Sequence, residues 1–159
     1  MRFLVLIGLF LASSATESQA QLAAELSYGA DRNVESTESE LDGWLNGTVG
    51  WVFPSGLGIG IGTDHQFEGA SVSPSSHQSW AIYVSSSLEF PVGRVAPFVR
   101  GGIGAGRAPC EGDTCSGGAY VRGSAGLRVR LVGEFRLMGE IGVSRVSRPF
   151  GGAGVAVRF

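Results

Sequence analysis

From Leu57 to Gly62 the chain reads Leu-Gly-Ile-Gly-Ile-Gly, with every apolar residue on one parity and every glycine on the other. Val99, Gly101 and Ile103 alternate in the same way with Arg100, Gly102 and Gly104. A period of two sends successive side chains to opposite faces, so these segments are strands with one apolar face. Glycines spaced by two also exclude a dinucleotide loop, which needs a strand, a Gly-rich turn and the start of a helix. The chain holds 26 glycines in 159 residues, more than twice the average usage of roughly 7%. They follow neither the three-residue period of collagen nor the polarity of a disordered tract, so they require a structural explanation.

Turn signals recur along the chain. Phe53-Pro54-Ser55-Gly56-Leu57, Phe90-Pro91-Val92-Gly93-Arg94 and Leu131-Val132-Gly133-Glu134-Phe135 are short tight turns whose glycines lie 37 and 40 residues apart. Longer polar stretches fall between them, at Asp31 to Gly43, Asp64 to Ser79, Arg107 to Gly118 and Arg145 to Gly152. The intervening segments predict eight strands: Leu22 to Ala30, Leu45 to Phe53, Leu57 to Thr63, Trp80 to Phe90, Val95 to Ala105, Ala119 to Leu131, Phe135 to Ser144 and Ala153 to Phe159. Short turns alternating with long loops over an even number of strands describe an all-β, antiparallel, up-and-down barrel.

The first residues carry a different signal. Arg2 precedes the apolar run Phe3 to Ala12, and the polar stretch after it ends in Ser18-Gln19-Ala20. This is the pattern of a secretory signal peptide, residues 1 to 20, cleaved after Ala20. Its apolar run is about half the roughly 20 residues that a membrane-spanning helix needs. The barrel domain then occupies residues 21 to 159, a single domain with one core. Loss of Arg2 and Glu17 leaves 11 basic and 13 acidic residues, a net charge of −2 that gives no reason to expect a nucleic-acid partner.

Parity assigns the faces. Phe53 shares a face with Leu45, Val49 and Trp51; Phe90 with Ile82, Val84 and Leu88; Phe135 with Leu137, Ile141 and Val143; and Phe159 with Val155 and Val157. Phe53, Phe90 and Phe135 beside the short turns form an aromatic girdle of the kind found where hydrocarbon meets headgroups. The other parity reads as small or charged: Glu25, Glu89, Glu140, Arg100, Arg122, Arg128, Arg130, Arg136 and Arg158, with Gly and Ser. Alternation alone does not say which face is outside, since a soluble lipocalin-like barrel shows the same pattern reversed. The signal peptide and the rim aromatics favour a transmembrane barrel.

The Phe53-Pro54-Ser55-Gly56-type turns, the strand Pro97-Phe98-Val99-Arg100-Gly101-Gly102-Ile103-Gly104-Ala105-Gly106 and the ending Val155-Ala156-Val157-Arg158-Phe159 resemble the small porin-like, opacity-type and OmpA/OmpX-type outer-membrane barrels. The resemblance covers residues 21 to 159. It implies a Gram-negative outer membrane, partners in outer-membrane lipid and lipopolysaccharide, and an insertion machinery that reads Val155, Val157 and Phe159. It carries over no ligand, cofactor, metal or catalytic residue. Pro97 departs from the pattern, because a closed barrel has no free edge for a residue without an N–H, and its expected place is near the rim.

Four features remain. Cys110 and Cys115 lie in one loop, and export through an oxidising compartment makes a disulfide the first reading. Asp64-His65, and His77 among Ser73, Ser75, Ser76 and Ser79, supply the residue types of a serine hydrolase; the His-x-Ser arrangement of lipid A deacylase barrels is absent. The first long loop is acidic, with Asp31, Glu35, Glu38, Glu40 and Asp42 against Arg32, which suits a solvated loop or one that takes cations or a basic partner. Inside the barrel, Glu25, Arg100, Arg122, Arg128 and Glu140 are expected to form a charge network. Folding the hairpin about Gly133 makes Arg128 with Glu140 the best pair and leaves Arg130, Arg136 and Arg158 as surplus at the mouth. The chain reads as a non-enzymatic barrel acting through its long loops, with a lipid A-modifying enzyme and a secreted ligand-binding barrel as alternatives.

Overall fold

The computed structural model describes residues 20–32, 41–67, 79–111, 114–144 and 148–159. They form β1 (Gln21–Arg32), β2 (Leu41–Val52), β3 (Leu57–Phe67), β4 (Ser79–Glu89), β5 (Val95–Glu111), β6 (Thr114–Val132), β7 (Phe135–Ser144) and β8 (Arg148–Arg158). Each strand pairs antiparallel with the next, and β8 returns to β1 from Ala23↔Arg158 to Asp31↔Phe150, closing an eight-stranded barrel. Closure leaves no unpaired edge. Residues 1 to 19 and 33–40, 68–78, 112–113 and 145–147 lie outside the described residues, and with them the expected signal peptide, His77 and the acidic centre of the first long loop.

The three short turns fold as their glycines require. Gly56, Gly93 and Gly133 take φ values of 83°, 64° and 54°, the left-handed region that disfavours residues with a Cβ. The turn about Gly133 sets Arg130 opposite Arg136 and Gly126 opposite Glu140. Pro97 is the third residue of β5, near the short-turn rim, and its carbonyl accepts the Phe90 N–H at 2.9 Å.

The strands run further into the polar stretches than the turn signals suggested. β2 begins at Leu41, β8 at Arg148, and β3 continues to Phe67 and so includes Asp64 and His65. β5 and β6 extend through most of the predicted loop Arg107 to Gly118. Ladder hydrogen bonds continue wherever two chains stay in register, whatever the polarity of their side chains.

Through the middle of the strands the outward face is predominantly apolar. Ile141 is 71% exposed while its neighbour Glu140 is 3% exposed, an inversion of a soluble protein. On β4 the outward row is Trp80, Ile82, Val84, Ser86, Leu88 and then Phe90. Ten residues at about 3.3 Å each span about 33 Å along the strand; at a tilt of about 40° that projects to about 25 Å, the height of an outer-membrane apolar band. Phe90, Phe135 and Phe159 are exposed at the short-turn end, and Phe53 is half-buried there. Val155 and Val157 lie on the same outward parity of β8, flanking the buried Ala156.

The inward face is not only small and charged. Trp44, Tyr83, Phe98, Tyr120 and Phe150 also point into the lumen and are buried there. Their bulk explains part of the glycine content. A Cβ on Gly62 would lie 2.4 Å from Cζ of Tyr83, and one on Gly126 would lie 2.8 Å from the Phe98 ring. Inward glycines therefore make room for rings that cross a narrow lumen, as a barrel of this size must be filled by side chains.

Candidate functional site

The polar side chains of the lumen gather in two clusters, each resting on aromatic rings. Toward the long-loop end, Arg122 of β6 donates from Nη2 to Glu140 Oε1 at 2.9 Å and from Nη1 to Asp64 Oδ2 at 3.3 Å. Ser27 donates to the same Glu140 oxygen at 3.0 Å, and the Tyr120 hydroxyl donates to Asp64. The guanidinium lies over Phe150 and Trp44, 4.1 and 4.8 Å from the ring centroids, and those rings meet edge to face. Beside it, Asn46 donates to the Tyr83 hydroxyl at 2.6 Å, and the Tyr83 and Tyr120 rings lie 5.3 Å apart.

The second cluster lies nearer the short turns. Glu25 accepts from Arg100 through one oxygen and from Arg128 Nη2 through the other, the latter at 2.7 Å. Glu89, next to the β4–β5 turn, accepts from Arg128 Nη1 at 2.7 Å, from Arg136 Nη1 at 2.6 Å and from Arg158 Nη2. Arg128 and Arg100 lie over Phe98, 4.0 and 5.4 Å from its centroid. Forked guanidinium donors suit this sharing, because one Arg can serve two carboxylates while its flat face packs on a ring.

Two sequence expectations are corrected by this geometry. Among the described residues Arg128 has no ion pair with Glu140; its partners are Glu25 and Glu89, and Glu140 is taken by Arg122. Ladder geometry favoured a diagonal neighbour on the same hairpin, but the lumen is narrow enough for a long side chain to reach across it. Arg136 and Arg158 are likewise not left without a partner, since both share Glu89 with Arg128, although the cluster keeps an excess of positive charge; Arg130 is exposed. The lumen positions of Asp64, Tyr120, Tyr83 and Asn46 are not among the sequence expectations, which place Asp64 only beside His65 at a strand end. Asp64 continues the inward parity of Gly60 and Gly62, a signal that ending β3 at Thr63 cut off by one residue.

The residue types of a hydrolase do not come together among the described residues. Asp64 is buried in the lumen, and His65 is exposed on the outer parity of β3. No group of three or more His, Cys, Asp or Glu among the described residues is arranged to hold a metal. Cys110 and Cys115 are backbone partners in the β5–β6 ladder, and their side chains lie outside the described residues.

No family model and no curated protein matches the chain. Solved structures do. The Neisserial surface protein A (NspA) superposes with a TM-score of 0.68 at 14% identity, covering 90% of this chain and 99% of that one. The N-terminal β-barrel domain of Pseudomonas aeruginosa OprF gives 0.61 at 13% identity over 89% and 100%. Ail, the attachment invasion locus protein of Yersinia pestis, gives 0.58 at 13% identity over 89% and 99%. The chain therefore has the fold of the small eight-stranded outer-membrane barrels that its turns and alternation resemble.

Proposed function

We propose that the chain is exported by a cleaved signal peptide to the outer membrane of a Gram-negative bacterium, where it acts without catalysis as a structural or surface-interaction barrel. The observation that carries this reading is the inverted polarity of the wall: an apolar exterior wider than a soluble protein tolerates, around a lumen of paired charges. Two proteins of the same fold are named for the cell surface and for attachment, which supports a role for the loops at the long-loop end. On this reading outer-membrane lipid and lipopolysaccharide are the immediate partners, Phe53, Phe90 and Phe135 sit at the periplasmic interface, and the outward face of β8 with Val155, Val157 and Phe159 guides insertion. The Cys110–Cys115 pair forms a disulfide during export and stiffens a loop tip. The charge network of Glu25, Arg100, Arg122, Arg128 and Glu140 fills the lumen and leaves no open pore.

Topology tests the reading. An epitope tag inserted at Gly93 should be reached only after the outer membrane is permeabilised, and one inserted between Ser73 and Gln78 should be bound on intact cells. Accessibility of Gly93 from outside, with the loop tag protected, would sink it.

A further inference from the structure

The two lumen clusters carry opposite imbalances. At the long-loop end one guanidinium, Arg122, faces two carboxylates, Asp64 and Glu140. At the short-turn end four guanidiniums, Arg100, Arg128, Arg136 and Arg158, face two carboxylates, Glu25 and Glu89. Three of those four Arg side chains are almost wholly buried, and Arg158 is 14% exposed. Including the rim adds Arg94 and Arg130 against Glu134, so the surplus at this end grows from two charges to three.

Unpartnered donors occur in both clusters, but unpartnered carboxylate oxygens occur only at the long-loop end among the described residues. Among the described residues, the guanidiniums of the short-turn cluster leave three buried donors without a partner, Arg100 Nη1, Arg128 Nε and Arg136 Nε, and the Ser124 hydroxyl opposite Arg100 is also unpartnered. At the long-loop end the unpartnered buried atoms are two carboxylate oxygens, Asp64 Oδ1 and Glu140 Oε2, and two donors, Arg122 Nε and Trp44 Nε1. Water can meet a hydrogen bond but cannot neutralise a buried charge. The short-turn end has more guanidiniums than negatively charged acceptors.

There is room for one. A cavity of about 230 Å³ opens at this mouth, lined by Gln21, Phe53, Pro54, Pro91, Glu89 and Arg158 among others. That is several times the volume of about 30 Å³ per molecule in liquid water. Glu89 would repel an anion if it were free, but both its oxygens are already engaged by Arg128, Arg136 and Arg158. Arg158 both lines the cavity and belongs to the surplus.

We propose that the short-turn mouth is a binding site for a phosphate-class oxyanion, with Arg158 as its contact residue and the guanidiniums around Glu89 supplying the field. The site belongs to the short-turn end, whichever compartment that end faces. Its occupant comes either from solution or from the headgroup of an anionic phospholipid at the rim. In both cases an acceptor-rich anion meets a fork of N–H donors in a partly desolvated cleft.

The refolded full barrel in a non-ionic detergent is titrated with inorganic phosphate against chloride at matched ionic strength, and the unfolding midpoint is followed by heat-dependent gel mobility. A soluble occupant gives a saturable, phosphate-specific rise, weakened about tenfold in Arg158→Gln, the loss expected for one charge-assisted contact. A headgroup occupant gives no such rise in detergent. It gives a higher midpoint in phosphatidylcholine vesicles containing phosphatidylglycerol than in pure phosphatidylcholine, a difference that Arg158→Gln removes. Should that variant fail to fold, Glu89→Gln serves instead: it widens the positive surplus, so phosphate or phosphatidylglycerol should raise its midpoint more than that of the wild type. A wild-type midpoint indifferent to both probes overturns the site, and so does a shift of equal size in Arg158→Gln or Glu89→Gln.

Discussion

Arg128 stands between two carboxylates that are far apart in the chain, its Nη1 2.7 Å from Glu89 Oε2 and its Nη2 2.7 Å from Glu25 Oε1. Every acid it serves has another guanidinium, Arg100 on Glu25 and Arg136 with Arg158 on Glu89. The consequences of removing one partner are therefore unequal. Glu89→Ala takes the shared acid from three guanidiniums, leaving Arg128 with Glu25 alone and Arg136 with Glu134 at 3.9 Å, and should cost about 3–5 kcal/mol, the range for breaking a buried pair. Arg128→Ala leaves both acids paired and should cost less, despite losing its contact with Phe98. Urea midpoints of the two refolded variants test the order; an Arg128→Ala protein less stable than Glu89→Ala would contradict it.

A parallel asymmetry holds for glycine. An alanine at Gly62 would place its Cβ 2.4 Å from Tyr83 Cζ, and the tyrosine is held by Asn46 and cannot swing away without losing that bond. At Gly101, on the outward face, a Cβ meets nothing within 4 Å. Gly62→Ala should destabilise by about 1–3 kcal/mol through overpacking, and Gly101→Ala should be neutral or slightly stabilising. Folding yield and unfolding midpoint in the same detergent separate the two.

How much of this was readable in advance follows from the range of each interaction. The eight strands, three short turns and most inward positions follow from local parity and from glycines that must take positive φ, as at Gly56, Gly93 and Gly133. Ion-pair partners do not. Arg128 and Glu25 are 103 residues apart and meet across the lumen on strands that share no ladder, so no hairpin geometry predicts them. Asp64 was legible by parity but hidden by a strand end placed one residue early, and the inward rings of Trp44, Tyr83 and Phe98 by attention to charge alone.

The long-loop cluster should tolerate loss of one acid better than the short-turn cluster does. Glu140→Ala leaves Arg122 with Asp64 at 3.3 Å and with the faces of Phe150 and Trp44, while Ser27 loses its acceptor. Its cost should fall at or below the low end of the 3–5 kcal/mol range. Glu140→Ala with Asp64→Asn, which leaves Arg122 without any carboxylate, should cost more than the two single changes together. Additive losses in a double-mutant cycle would show that the two acids do not share the cation.

The last prediction concerns permeation. An eight-stranded barrel is about as wide as its own side chains can fill, and here each of the two lumen clusters holds an Arg, Arg122 or Arg128, bonded to an acid on another strand and packed on an aromatic ring. Opening a continuous water path would require several buried pairs to part together, each at a cost of several kcal/mol if its charges are left unpaired. Planar-bilayer recordings of the wild-type protein should therefore show no stable large channel. Removing one acid only redistributes its cations, so Glu89→Ala should still close. Replacing Arg100, Arg128 and Arg158 together by serine takes out the side chains that span the lower lumen, and this variant, where it folds, is the one expected to show conductance. A steady open pore in the wild type would refute the plugged lumen and shift the reading toward diffusion.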